Sequence, residues 1–108
     1  CTLLDCGQIT IGNRTLLGSN VSAYSGNHSL DAAERTAGAL VPKPITIGNR
    51  VWIGGGSTIL SGVTIGDDSV IGAGSIVTHD IPSGVLAAGN PCRVLRKITD
   101  KDKVGYSI

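Results

Sequence analysis

An aliphatic residue returns every six positions along most of this 108-residue chain. A glycine usually follows it directly, and a small or branched residue stands four positions after it. The aliphatic positions are Ile11, Leu17, Ile47, Ile53, Ile59, Ile65, Ile71 and Val77. A six-residue period predicts a parallel β-helix, in which each hexad forms one short strand and one turn. Three hexads, about 18 residues, would then close one triangular coil with the aliphatic side chains inside. The fold class predicted is therefore all-β.

The repeat is interrupted once, over residues 29–46, which carry charged residues, glycine and two prolines. Leu17 and Ile47 are nevertheless 30 residues apart, a multiple of six, so the phase of the repeat is retained. This pattern predicts one long excursion loop that leaves the coil and returns to it, with a helical turn near Asp31–Arg35. A loop of this length inside a regular domain is more often functional than accidental.

The two ends of the chain lead to different expectations. The β-helix is predicted over residues 1–92, and residues 93–108 are predicted to form a C-terminal cap or tail. Within that segment the apolar side chains available to cover the open end of the core are Val94, Leu95 and Ile98. At the other end Asp5 is already in phase with the repeat. We therefore expect the chain to be the C-terminal portion of a longer protein.

The composition of the chain argues against several classes of function. A net charge of +1 without any basic run argues against a nucleic-acid partner. No apolar stretch approaches the roughly 20 residues of a membrane span, and no signal-peptide pattern is present, so a cytoplasmic protein without a membrane partner is expected. Cys1, Cys6 and Cys92 lack metal-ligand or redox spacing, and are expected to be thiols in a reducing compartment. Two histidines cannot build a three-histidine zinc site, so no metal is expected.

Four segments carry information beyond the repeat: NHSLDAAER, PITIGNRVWIG, GVTIGDDSVIGAGSIVT and AAGNPCRVLRKI. Together they resemble the galactoside, maltose and nodulation-type O-acetyltransferases, over essentially the whole chain and outside the hexads as well. The resemblance implies a left-handed β-helix that assembles as a homotrimer with active sites between adjacent subunits. It also implies acetyl transfer from acetyl-coenzyme A to a hydroxyl of a sugar acceptor.

His28 is the candidate catalytic residue, because Asn27-His28-Ser29 matches the segment that carries the catalytic histidine of that family. A sugar hydroxyl is a poor nucleophile until its proton leaves, and an imidazole with a pKa near 6.5 can accept that proton at neutral pH. Direct attack of the hydroxyl then needs no acyl-enzyme. The family's proline after this histidine is replaced here by Ser29. The alternative for His28 is an ordinary solvent-exposed loop histidine.

The resemblance also implies substrate-binding roles for Asp5 and Trp52. Asp5 lies where similar enzymes place a carboxylate that binds the acceptor hydroxyls, and its alternative is a turn aspartate. Trp52 resembles the family tryptophan beside the acetyl-coenzyme A tunnel, and a rim aromatic that packs between subunits is compatible with that role.

Five further positions match residues that contact the cofactor in the family: Gly55, Ala73, Thr78, Arg93 and Arg96. The first three would let the pantetheine arm approach closely, although plain turn positions are the alternative. The two arginines would lie near the nucleotide phosphates. His79 stands where the family often has lysine, so this chain departs from the family at one phosphate or ribose contact. His79 is also a weaker competitor for the role of base.

Two other functions stay open. The chain could be a non-catalytic β-helix that only assembles or scaffolds, or a related acetyltransferase whose acceptor is not a sugar. The sequence does not identify the acceptor.

Overall fold

Short strands separated by turns follow one another through almost the whole chain in the computed structural model, which describes residues 1–106. The strands are β1 (Thr2–Leu4), β2 (Ile9–Ile11), β3 (Leu16–Leu17), β4 (Ser22–Tyr24), β5 (Ile45–Ile47), β6 (Trp52–Ile53), β7 (Thr58–Ile59), β8 (Thr64–Ile65), β9 (Val70–Ile71), β10 (Ile76–Val77), β11 (Val85–Gly89) and β12 (Cys92–Lys97). One short helix, α1 (Ala32–Thr36), lies in the excursion.

The strands form three sheets, ordered β1-β4-β7-β10, β2-β5-β8 and β12-β11-β9-β6-β3. All neighbours are parallel except β11 and β12. Trp52 pairs with Val70, one 18-residue coil later, whereas Leu16 pairs with Trp52 across 36 residues. The excursion therefore adds the length of one coil, which explains why the phase of the repeat is retained. The prediction of an all-β parallel β-helix is confirmed.

The aliphatic residues of the repeat fill the interior of the prism. Ile53, Ile59 and Ile71 are fully buried, whereas Ile11 and Leu17, in the first complete coil, are only partly buried. Valines and serines fill other inward positions. The serine hydroxyls bond to the backbone; Ser75 Oγ, for example, donates to the Gly72 carbonyl at 2.6 Å. Within residues 1–106 no buried side-chain nitrogen or oxygen lacks a partner, as a closed interior requires.

The register of β1 departs from the hexad. The repeat would place Asp5 opposite Ala23, which points into the core, but the structure pairs Leu3 with Ala23. Asp5 instead lies exposed in a turn, where its carbonyl accepts a hydrogen bond from the Gln8 amide at 2.9 Å. The prediction that Asp5 is in phase is therefore wrong: the apolar Leu3, and not the carboxylate of Asp5, takes the position next to the core residue Ala23.

The excursion is tied to the coil by an antiparallel stem. The Val41 amide donates to the Asn27 carbonyl at 2.8 Å, and the Lys43 amide donates to the Ser25 carbonyl at 3.0 Å. Because β5 begins at Ile45, residues 45 and 46 belong to the coil rather than to the predicted loop of residues 29–46. α1 begins one residue after the start of the predicted helical turn, with Asp31 as its N-cap.

The C-terminal segment adds an antiparallel strand to the largest sheet. The predicted boundary between residues 92 and 93 falls inside β12, which pairs with β11. Val94 and Leu95 remain exposed, so the expectation that these two cover the core is wrong, whereas the third residue, Ile98, is half-buried. A strand that joins a sheet edge extends one face instead of closing the end of the prism. A 3₁₀ turn over Asp100–Asp102 follows, and residues 107 and 108 of the predicted tail lie outside the described residues. No helix in residues 1–106 is long and apolar enough to cross a membrane.

Candidate active site

His28 lines a cleft of about 310 Å³ at the base of the excursion. Its other lining residues are Leu4, Cys6, Tyr24, Gly26, Asn27, Leu40 and Pro42. Leu4 and Tyr24 are neighbours on adjacent strands and point outward from the prism, whereas Leu40 and Pro42 come from the returning arm of the excursion. The cleft therefore combines an exposed imidazole with mostly apolar walls.

The backbone of His28 is fixed from the upstream side. Its amide donates to Asn27 Oδ1 at 2.9 Å, and His28 forms an isolated antiparallel bridge with Leu40. These bonds continue the stem of the excursion, so the histidine stands where the loop leaves the coil. A candidate base in this place is anchored to the rigid solenoid and still open to solvent.

Asp5 lies at the rim of the same cleft. Its neighbours Leu4 and Cys6 line the cleft, but Asp5 itself is not one of the lining residues. Its carboxylate is exposed and makes no hydrogen bond within residues 1–106, so it is accessible to a ligand. The structure thus places the two sequence neighbours of Asp5 in the cleft of His28, without a hydrogen bond between Asp5 and His28.

Gly55 and Ala73 occupy one corner of the prism in successive coils. The Gly74 amide donates to the Gly55 carbonyl at 2.9 Å, which stacks the two turns. Ala73 is exposed and Gly55 is half-buried. This corner precedes the sheet that carries β7 and β10, whereas Thr78 follows β10 on the far side of that sheet.

Arg93 belongs to a second cleft, of about 280 Å³, lined also by His79, Asp80, Ile81, Cys92 and Val94. Thr78 Oγ1 lies 2.8 Å from His79 Nδ1, so Thr78 is adjacent to this cleft. Arg93 is exposed, and one of its guanidinium nitrogens, Nη1, donates to the Cys92 carbonyl at 3.1 Å. Burial raises the pKa of the Cys92 thiol, which keeps it protonated and a poor nucleophile.

Trp52 and Arg96 lie in a third cleft, of about 250 Å³, together with Val70, Leu86, Ile98 and Asp102. The guanidinium of Arg96 donates to both carboxylate oxygens of Asp102, at 2.8 and 3.0 Å. These bonds raise the pKa of Arg96 and lower the pKa of Asp102 to about 2. Arg96 is thus already paired with a carboxylate, whereas Arg93 forms no ion pair within residues 1–106.

The predicted site residues are therefore distributed over separate surfaces of one chain. His28 lines the first cleft, with Asp5 next to two of its lining residues in sequence. Arg93 lines the second cleft, with Thr78 adjacent to it, and Trp52 and Arg96 both line the third. The sequence analysis missed the apolar walls of the first cleft. Leu4 and Tyr24 could have indicated this surface, because large apolar side chains at outward strand positions are unexpected on a solvated sheet.

Comparison with known proteins identifies the relatives of the chain. A model of the bacterial transferase hexapeptide, with six repeats, matches residues 44–79. Galactoside O-acetyltransferase from Escherichia coli K12 is 52% identical over 105 residues, which are 97% of this chain and 52% of that protein. A hexapeptide-repeat acetyltransferase of known structure from Vibrio cholerae is 33% identical with a TM-score of 0.76, and the match covers 92% of this chain and 72% of the other. The chain belongs to the hexapeptide-repeat acetyltransferase family.

A structure of galactoside acetyltransferase in complex with coenzyme A is similar over more of this chain. That match has a TM-score of 0.92 and 51% identity, and covers 99% of this chain and 54% of the other. The chain spans about half the length of the curated relatives it matches. Family membership therefore rests on a match that includes the His28 excursion and β12, both of which lie outside the hexads.

Proposed function

We propose that this chain carries the catalytic histidine and part of the cofactor site of an acetyltransferase that acetylates a sugar hydroxyl. The acceptor would be a galactoside, a glucoside or a maltose-like sugar, and acetyl-coenzyme A would be the donor. The observation that carries the proposal is the position of His28, which is exposed in an open cleft and held at the base of the excursion by the stem, through its bridge to Leu40. The family relationship supplies the reaction class.

The chemistry assigned to His28 is proton transfer. Its imidazole would accept the proton of the acceptor hydroxyl while that oxygen attacks the acetyl carbonyl carbon. Coenzyme A supplies the acetyl group as a thioester, and its departing thiolate takes up the proton that His28 holds. The C–S bond breaks, an ester C–O bond forms and His28 returns to the neutral state. No covalent enzyme intermediate is needed.

The residues present fit the chemical character of coenzyme A. Ala73 is exposed beside the half-buried Gly55, so a pantetheine arm could approach that corner closely. Arg93 is a permanently charged donor whose guanidinium is free of any carboxylate within residues 1–106, and such groups bind phosphate well. The Thr78 hydroxyl and the His79 ring lie beside this cleft and can also donate hydrogen bonds.

A trimer of left-handed β-helices would explain why these groups lie apart in one chain. His28 of one prism would face Gly55, Ala73 and Arg93 of a neighbour, so that the site is complete only between subunits. The exposed Trp52, at 54% of its maximum exposure, would then contact a neighbouring subunit or the acceptor. Cross-linking of the full-length protein should yield trimers, and a strictly monomeric active enzyme would contradict this part of the proposal.

The direct test is an acceptor screen. The purified full-length protein is mixed with acetyl-coenzyme A and with a galactoside, a glucoside or maltose, and release of the free thiol is followed. We expect release that depends on at least one sugar, with an O-acetyl sugar detected by mass spectrometry. Thiol release that no sugar accelerates, in the presence of an intact fold, would contradict the proposal.

Asp5→Asn is expected to raise the KM for the sugar by about 10-fold and to leave the KM for acetyl-coenzyme A unchanged. A carboxylate–hydroxyl hydrogen bond contributes about 1.5–3 kcal/mol, and the amide replaces it with a weaker one. Initial rates at varied sugar concentration measure the effect.

The control for this variant must be a carboxylate without a structural role. Asp80→Asn is not suitable, because Asp80 Oδ1 accepts a hydrogen bond from the Thr64 amide, and Asp31 is likewise engaged as the α1 cap. Asp100 provides the control carboxylate, because it is exposed and its contact, an ion pair with Lys103 at 3.5 Å, is long and lies on the surface.

Arg93→Glu is expected to raise the KM for acetyl-coenzyme A by about 10-fold or more while the KM for the sugar stays nearly constant, because a charge-assisted bond to phosphate is lost. Arg96→Glu should act in the same direction but less strongly, since Arg96 is already paired with Asp102. Kinetics with each substrate varied separately provide the measurement. An effect confined to the sugar KM would show that these arginines serve the acceptor.

A further inference from the structure

The segment that follows His28 is held by polar contacts and not by packing. α1 has five residues and none of them is buried. A helix this short is not stable by propensity alone. The free-energy cost of helix nucleation exceeds the stabilisation from so few backbone hydrogen bonds. The geometry of the excursion on this side of His28 therefore depends on its side-chain hydrogen bonds.

Ser29 is the centre of these bonds. Its hydroxyl donates to Glu34 Oε1 at 2.7 Å and accepts from the Asp31 amide at 3.1 Å. Arg35 Nη1 donates to the carbonyls of Ser29 and Leu30, at 3.3 Å each. Together these contacts bend the chain just after His28 and tie it to the first turn of α1.

The imidazole of His28 has no hydrogen-bond partner of its own within residues 1–106. In many enzymes a third group orients the base by bonding to its second nitrogen. Here the orientation of the ring in this chain depends on the backbone at both sides of the residue. Asn27 and the bridge to Leu40 fix the upstream side, and the Ser29 contacts fix the downstream side.

We propose that Ser29 is a positioning residue for His28, acting together with Glu34 and Arg35. Its hydroxyl holds the turn that directs the imidazole toward the acceptor hydroxyl. The inference rests on the proposed function, because it takes His28 to be the base. Ser29 touches neither the acceptor nor the donor in this role.

Ser29→Ala is expected to lower kcat by about 10-fold, because displacement of a base by a fraction of an ångström is costly and a shift of about 1 Å can cost about 100-fold. The KM for acetyl-coenzyme A should not change. Ser29→Thr keeps the hydroxyl and should retain most of the activity. Thr36→Ala, in the same loop but without a side-chain hydrogen bond within residues 1–106, is the matched control and should behave as wild type.

Two measurements separate positioning from simple loss of stability. The melting temperature of Ser29→Ala should stay close to that of wild type, because the network lies in an exposed loop. In NMR spectra of the full-length protein with labelled histidine, the His28 ring signals should shift or broaden in Ser29→Ala, and the His79 signals should not. The double variant Ser29→Ala/Glu34→Ala should be no slower than the slower single variant, because both changes remove the same bond.

The outcomes distinguish this inference from the proposed function. If His28→Ala is inactive while Ser29→Ala has wild-type kcat and unchanged His28 signals, His28 stays the base and the positioning role is wrong. If Ser29→Ala lowers kcat only in proportion to the fraction of unfolded protein, the role is structural and the inference is again wrong. If His28→Ala keeps normal turnover, the proposed base itself is wrong, and the NMR comparison still tests whether Ser29 orders the ring.

Discussion

Substitution of His28 by alanine is expected to lower acetyl transfer in the full-length protein by about 100-fold or more, the usual contribution of a general base. The affinity for coenzyme A should change little, because the imidazole acts on the acceptor hydroxyl, whereas the proposed contacts to the cofactor come from Gly55, Ala73 and Arg93. The fold should also be unaffected, since the side chain is exposed and its backbone bonds remain. Turnover at saturating concentrations of both substrates, together with coenzyme A binding by calorimetry, measures the two effects.

His79→Ala is the matched control for this prediction. His79 is the second histidine of the chain; it is exposed as His28 is, but it lies in the Arg93 cleft and bonds to Thr78. Its loss should alter the KM for acetyl-coenzyme A at most, with kcat nearly constant. If His79→Ala abolished turnover while His28→Ala retained it, the assignment of the base would be reversed.

The fold could be predicted from the sequence because its rule is local and repeated. The coils from β5 to β10 obey the same six-residue constraint, so these six strands could be located without reference to the rest of the molecule. The exceptions arise where two rules compete. Asp5 satisfies the spacing but is not apolar, and in the register of β1 it is Leu3 that pairs with Ala23. β12 carries no hexad, and its antiparallel pairing with β11 depends on a tertiary contact that the repeat does not encode.

The candidate site was less predictable for a related reason. His28 could be selected because the motif around it is contiguous, but its cleft is built by Leu4 from one coil and by Leu40 and Pro42 from the returning excursion. The stem between residues 25–28 and 40–43 brings those residues together. Because its pairing does not follow the six-residue repeat, it produces no periodic pattern in the sequence. Similarly, Arg93 and Arg96 are close in sequence, yet the strand geometry of β12 directs them into different clefts.

Gly54→Ala is expected to destabilise the β-helix by about 3 kcal/mol, the upper part of the usual range for an overpacked interior. Gly54 is buried, and a Cβ at this position would lie 2.5 Å from the amide nitrogen and 2.7 Å from the Cα of Ala73 in the next coil. Backbone atoms of a stacked coil cannot rotate away as a side chain can. Relief of the contact must therefore separate two coils beside Gly55, so the KM for acetyl-coenzyme A should rise as well.

Gly56→Ala is the comparison variant. The surroundings of Gly56 are open, so the loss of stability on substitution comes from the backbone conformation and not from a steric contact. No atom lies within 4 Å of a Cβ at that position, but its φ of +74° is unfavourable for alanine and costs about 1–2 kcal/mol. Urea unfolding at one protein concentration should therefore give a lower midpoint for Gly54→Ala than for Gly56→Ala, with similar m-values. Adding Ala73→Gly to Gly54→Ala should not restore stability, because the contact is with backbone atoms that glycine keeps. Full rescue by Ala73→Gly, or a larger loss from Gly56→Ala, would show that close stacking of the coils is not what requires glycine at position 54.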